Sequence, residues 1–141
     1  RDRFLKTLYE HQASSPDQKV VLLGGDIHVG CVHALRWKDS PLTFYQMTSS
    51  PITHVTPLYV KIGSKLLIKG NRKVATDDDR IYARVRLLNG EQGKRKNPYG
   101  GLNLGIVEIK TAEPGADPEV RFLLYGHKGE DPVCVCRSPV I

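Results

Sequence analysis

Apolar residues fall in blocks whose spacing changes along the chain, and each change predicts a different element. From Arg1 to Ala13, Phe4, Leu5, Leu8 and Tyr9 gather on one side at spacings of one and four, which predicts a short amphipathic helix. Ser14-Ser15-Pro16-Asp17 ends it, because proline prevents its simple continuation. Lys19 to Leu23 (KVVLL) is a continuous β-branched and apolar run, as expected of a strand covered on both faces, and Gly24-Gly25 stops it. Val29 to Trp37 and Leu42 to Met47 are two further strands, joined through Lys38-Asp39-Ser40-Pro41 as a hairpin.

Beyond the hairpin the pattern loosens. Ser49 to Thr56 is loop-like, and Leu58 to Lys69 fits strand or helix. Gly70 to Gly101 is polar and irregular apart from a strand over Ile81 to Leu88. Leu102 to Lys110 (LNLGIVEIK) and Val120 to Tyr125 (VRFLLY) read as a hairpin with a long polar loop, and Cys134 and Cys136 share one face of a short C-terminal strand. There is no internal repeat. One helix followed by mostly β structure is lopsided as an independent domain and makes better sense as the second half of a larger layered protein.

Composition narrows the class. The 141 residues amount to one domain with room for a hydrophobic core, and 40% hydrophobic with 26% charged residues is ordinary for a globular protein. No apolar stretch approaches the ~18–20 residues of a membrane span. No signal-peptide pattern is present, and the start at Arg1 inside a helix is that expected of a fragment. A net charge of +6 suits an anionic ligand as well as simple solubility. The basic residues are spread out, with one cluster at Lys94, Arg95 and Lys96. No Arg/aromatic interleaving of the kind that builds a single-strand groove is evident, so no nucleic-acid motif is read. Three cysteines (Cys31, Cys134, Cys136) cannot close a disulfide framework, and a lone Cys-x-Cys is not a zinc knuckle.

The candidate chemistry sits in LLGGDIHVG, residues 22–30. In layered α/β folds, ligands bind beyond the carboxyl ends of strands, where loops gather polar groups. If the backbone stays extended across 26–28, Asp26 and His28 point the same way, with Ile27 turned to the core. A carboxylate and an imidazole together suit zinc, iron or manganese. On spacing alone, hydrogen-bonded turn residues are the default reading of a single Asp-x-His.

The wider stretch VVLLGGDIHVGCVHAL, followed closely by FYQMTSSPITH, resembles the alkaline phosphatase D-like (PhoD-type) metallophosphoesterases. A strand ending in Gly-Asp-Ile-His, a second ending in Thr-Ser-Ser-Pro-Ile-Thr-His, the preceding amphipathic helix and the later Asn97-Pro98-Tyr99-Gly100 all fit that pattern. The resemblance covers about residues 1–56 and continues more faintly to about 125. It implies an α/β fold, with this chain as the β-rich C-terminal part of a four-layer αββα sandwich. It also implies a dinuclear metal site that hydrolyses phosphate esters, its ions ~3.5–4 Å apart. Asp26 and His28 then carry over as metal ligands, with iron and calcium as the family's metals and zinc or manganese as further candidates.

The earlier motifs of the superfamily, Asp-x-His, Gly-Asp-x-x-Asp and Gly-Asn-His-[Asp/Glu], are nowhere in the chain. Residues 1–141 therefore read as one domain, the C-terminal segment of a longer enzyme. It brings two ligands to a site needing roughly eight to twelve at ~4–6 per ion, and is expected to be inactive alone. His54, Ser49, Ser50 and Asn97 are further candidates for substrate or supporting contacts, with Thr48 beside them. Ordinary loop hydrogen bonds are the competing reading for the hydroxyls. His33 is expected to be structural. Asp77-Asp78-Asp79 lacks the ligand spacing of a calcium loop. The competing function is a non-catalytic β-rich domain that binds a protein or anionic partner.

Overall fold

The computed structural model describes residues 2–25, 28–37, 40–50, 52–53, 57–60, 62–63, 72–75, 82–87, 97–111, 113–128 and 130–141. For 72–75, 82–86 and 128 it describes the backbone alone. Helix α1 spans Asp2–Ser14. Its inward face is Leu5, Leu8, Tyr9 and Gln12, the i, i+3, i+4, i+7 set of one helical stripe. Phe4, expected on that face, is instead 55% exposed: it lies about 100° around the helix from Leu5 and falls off the stripe. Gln12 is buried, and its amide donates to the carbonyls of Ser15 and Gln18. It thereby ties down the turn at Ser14-Ser15-Pro16 that leads into the first strand.

Five strands form the larger sheet: β1 (Val21–Gly24), β2 (Cys31–Trp37), β3 (Thr43–Thr48), β4 (Arg72–Ala75) and β5 (Tyr82–Leu87), in the order β1-β3-β2-β5-β4. β1 runs parallel to β3, and the other pairs are antiparallel. The β2–β3 hairpin and β5 match the sequence pattern. Two features do not. β1 is an edge strand, and its apolar run is not fully covered: Val21 and Leu22 are half-buried and Leu23 is 63% exposed. β4 is a strand where the pattern predicts irregular structure, because its four residues, RKVA, are too few and too charged to register as one. Of the ambiguous segment after Pro57, Leu58–Val60 is helical, and residues 64–69 lie outside the described residues.

The smaller sheet holds β6 (Leu104–Lys110), β7 (Glu119–Lys128) and β8 (Asp131–Arg137) in the order β6-β7-β8, all antiparallel, with a bulge at Leu124/Tyr125. The larger sheet packs on both sides. On one, Leu5 of α1 meets Trp37 and Phe44, with Tyr9–Trp37 and Trp37–Phe44 edge-to-face at 5.2 and 5.7 Å. On the other, Val32 and Met47 pack against Val120, Phe122 and Ile141 of the smaller sheet and its C-terminal extension. Burying side chains such as Phe44 (1% exposed) and Phe122 (0%) contributes about 1.5–3 kcal/mol each. Among the described residues the chain is thus helix, sheet, sheet: mixed α/β and mostly β, as the sequence pattern predicts.

Candidate functional site

β1 and β3 run parallel, so their carboxyl ends open at the same edge of the molecule. The chain leaves β1 at Gly24 and β3 at Thr48, and the two exits are joined by a hydrogen bond from the Ser49 amide to the Gly24 carbonyl at 3.1 Å. The glycine-rich stretch and the Thr-Ser-Ser stretch, separate in sequence, therefore leave the sheet side by side. Asp26 and Ile27 lie outside the described residues. His28 is half-buried and has φ 55°, in the left-handed region. The backbone is thus not extended at His28, so strand alternation cannot be what aims Asp26 and His28 at a common point. A turn carries the chain into the fully buried Val29 instead.

A third segment closes over this corner. Residues 97–103, Asn-Pro-Tyr-Gly-Gly-Leu-Asn with a cis Asn97-Pro98 bond, run as a strap between the two sheets. Tyr99 pairs with Gly30 through two backbone hydrogen bonds, both 2.8 Å. Buried Asn97 meets the start of β2 as a neighbouring strand would: its Nδ2 donates to the Val32 carbonyl (2.7 Å) and its Oδ1 accepts from the Val32 amide (3.1 Å). Buried Asn103 does the same for the loop after β3. Its Nδ2 donates to the carbonyls of Ser50 (2.7 Å) and Gly101 (2.8 Å), while its Oδ1 accepts from the Ser50 amide (3.0 Å) and the Ser49 hydroxyl (3.3 Å). Gly30 is required beneath the strap, because a Cβ there would sit 2.7 Å from Asn103 Oδ1 and 2.8 Å from Leu124 Cδ1.

These contacts place the predicted residues unequally. Ser49, Ser50 and Asn97 all stand at this corner, but Asn97 braces the Val32 backbone, the Ser49 hydroxyl donates to Asn103 and Ser50 is held by its main-chain groups. Asn103 holds two of those three, Ser49 and Ser50, and stands in the sequence pattern only as part of the hairpin strand Leu102 to Lys110. A second asparagine six residues after Asn97, across Pro-Tyr-Gly-Gly-Leu, was the available signal. Tyr99 likewise stands in the sequence pattern only as part of Asn-Pro-Tyr-Gly. Its ring lies over Gly126 so closely that a Cβ there would collide with it. His54, Asp77 to Asp79 and Lys94 to Lys96 lie outside the described residues.

The neighbouring titratable groups are structural in character. His33 pairs in register with Gln46 and Leu87, and desolvation by burial lowers its pKa below the ordinary 6.5. Burial pushes the Cys31 thiol up to about 11 against a smaller opposing effect of its hydrogen bond with Thr48, so it is no nucleophile at neutral pH. Burial, and secondarily Cys134, raises Cys136 to about 11. Asn103 also lines a mostly apolar groove of about 360 Å³ together with Ile52, Leu104, Ile106, Tyr125 and Glu130.

Among the described residues no three His, Cys, Asp or Glu side chains come together as a metal-binding group. His28 brings one imidazole, and a single protein donor does not hold an ion. Any metal at this corner would need Asp26 and further ligands from elsewhere. No helix of the described residues is long and apolar enough to cross a membrane. Comparison with models of known families, with curated proteins and with solved structures returns no match for the chain.

Proposed function

We propose that this chain is the C-terminal segment of a PhoD-like metal-dependent phosphatase or phosphodiesterase, and that Asp26 and His28 are its share of a dinuclear metal site. What supports this reading most is that the three stretches carrying the family resemblance converge on one corner of the fold. Gly24 hydrogen-bonds Ser49, Gly30 pairs with Tyr99, and Asn103 grips Ser49 and Ser50. Such an arrangement at the carboxyl end of parallel strands is where α/β proteins assemble ligand sites.

In this reading Asp26 supplies a carboxylate and His28 an imidazole nitrogen, a donor pair that fits borderline cations such as iron, zinc or manganese. When bound, paired metal ions polarise the phosphoryl group and lower the pKa of a coordinated water. The chain's own part is to hold its donors still. The strap fixes the start of β2, after His28, through Asn97, and it holds the loop after β3 through Asn103, a loop that in turn hydrogen-bonds Gly24 at the end of β1. Ser50 is the hydroxyl of this loop offered to phosphate oxygens, the Ser49 hydroxyl being engaged with Asn103.

The reading predicts that the 141-residue chain alone does not hydrolyse nitrophenyl phosphate mono- or diesters with any added divalent metal. In the full-length protein, Asp26→Asn and His28→Ala each cut turnover severely, by ~10²-fold or more, as expected when an ion loses a ligand. Robust metal-dependent hydrolysis by the isolated chain, or unchanged turnover in both variants, contradicts it.

A further inference from the structure

The loop after β3 belongs to two places at once. Asn103 holds its Ser49 and Ser50 at the candidate corner, and two residues further on Ile52 lines the groove of about 360 Å³ that Asn103 also lines. Leu104 and Ile106 line it from β6. They alternate along that strand with Val107, which packs toward the larger sheet, so they stand on the outer face of the smaller one. Tyr125, directly opposite Leu104, continues the lining on β7.

Ile52, Leu104 and Ile106 are all exposed. Single apolar side chains on a surface need no explanation, but three gathered around one concavity form the kind of patch that marks an interaction site. The volume falls within the ~300–1,000 Å³ of small-molecule sites. The lining includes Glu130 and, among the described residues, no lysine or arginine. An anionic group is therefore disfavoured in the groove and an uncharged apolar one favoured. The groove is also continuous with the corner. Ile52 follows Ser50 at a chain distance of at most ~7 Å, and Asn103 Oδ1 lies 3.0 Å from the Ser50 amide. One molecule with a phosphate beside Ser50 and an apolar body next to it spans both.

We infer that the groove lined by Ile52, Leu104, Ile106 and Tyr125 takes the apolar alcohol portion of a phosphate ester whose phosphoryl group lies at the Ser50 corner. This rests on the phosphoesterase reading and narrows its substrate class to esters of bulky apolar alcohols. Glu130 sets the orientation, since its carboxylate repels the phosphate from the groove and leaves a neutral ring or chain undisturbed. As a water oxygen bonds phosphorus, the P–O bond to the alcohol breaks, and the alcohol takes a proton and is released from the groove.

Two measurements test this. The first follows the isoleucine methyl NMR signals of the 141-residue chain as 2-naphthylmethanol is added. Ile52 and Ile106 are expected to shift and saturate, Ile109 on the opposite face of β6 is not, and Ile106→Gln weakens binding roughly tenfold. The second compares kcat/KM of the full-length protein for 2-naphthylmethyl phosphate and methyl phosphate. Their alcohols are of similar acidity, so the ratio reports the groove and not leaving ability. The naphthylmethyl ester is expected to be favoured by roughly tenfold or more, and Leu104→Gln and Ile106→Gln to remove most of that preference, whereas Ile109→Gln keeps it. No saturable shift at Ile52 and Ile106, or a preference that both groove variants leave intact, overturns the inference and leaves the phosphoesterase reading standing. Full-length protein that hydrolyses neither ester overturns both. Dimerisation of the chain that Ile106→Gln abolishes assigns the groove to a second copy and overturns the inference as well.

Discussion

The side-chain amide of Asn97 pairs with both main-chain groups of Val32, 65 residues away, at 2.7 and 3.1 Å. It pairs with the start of β2 as a strand would, next to the last described residue of β5, Leu87 opposite His33. Removing it strands a buried N–H and a buried C=O, each costing about 1–3 kcal/mol when left unsatisfied. Asn97→Ala is therefore expected to destabilise the chain by roughly 2–4 kcal/mol in urea unfolding. A loss below about 0.5 kcal/mol, the size of an ordinary surface change, would show the clamp to be incidental.

Asn103 acts on the loop rather than the sheet. It contacts Ser49, Ser50 and Gly101 at once. Asn103→Ala is expected to cost about 1–3 kcal/mol globally and also to loosen the loop locally. Hydrogen exchange at the Ser50 amide should quicken by roughly tenfold or more, while exchange at the paired amides of β6 and β7 changes only by the global loss. Exchange at Ser50 that follows the global change alone would place the loop's order in some other contact.

His33 makes stability depend on pH. Its pKa in the fold lies below its ordinary 6.5, so the unfolded chain takes up a proton more readily than the native one. Its contribution is complete above pH 6.5 and is lost as pH falls below that value toward the pKa in the fold. The urea midpoint should accordingly drop on acidification below pH 6.5, and His33→Gln should flatten part of that drop. An identical pH profile for wild type and His33→Gln would mean that burial of this imidazole carries no linkage.

Much of this architecture is local enough to read from the chain. α1, the β2–β3 hairpin, β5 and the β6–β7 pair each announce themselves through periodicity within a dozen residues. β4 and the edge position of β1 do not, because both depend on which strand lies alongside. β1 pairs across more than twenty residues with β3, and four residues of RKVA become a strand only against β5.

The candidate site divides the same way. Gly24, Asp26 and His28 stand out by composition, yet His28 sits in a turn with φ 55°, which alternation along a strand could not foretell. Ser49, Ser50 and Asn97 were legible as polar residues in quoted motifs. Their contacts were not, since they run to distant partners, Ser50 to Asn103 some 53 residues further on.

The central claim is that Asp26 and His28 contribute ligands to a metal site completed by residues outside this chain. Elemental analysis of the full-length protein, its Asp26→Asn and His28→Ala variants and the 141-residue chain tests it most directly. The account predicts close to two metal ions per molecule in the full-length protein, as a dinuclear site requires. It predicts clearly reduced occupancy in each variant and none retained by the isolated chain. Wild-type metal content in both variants would contradict it and remove these two residues from the site.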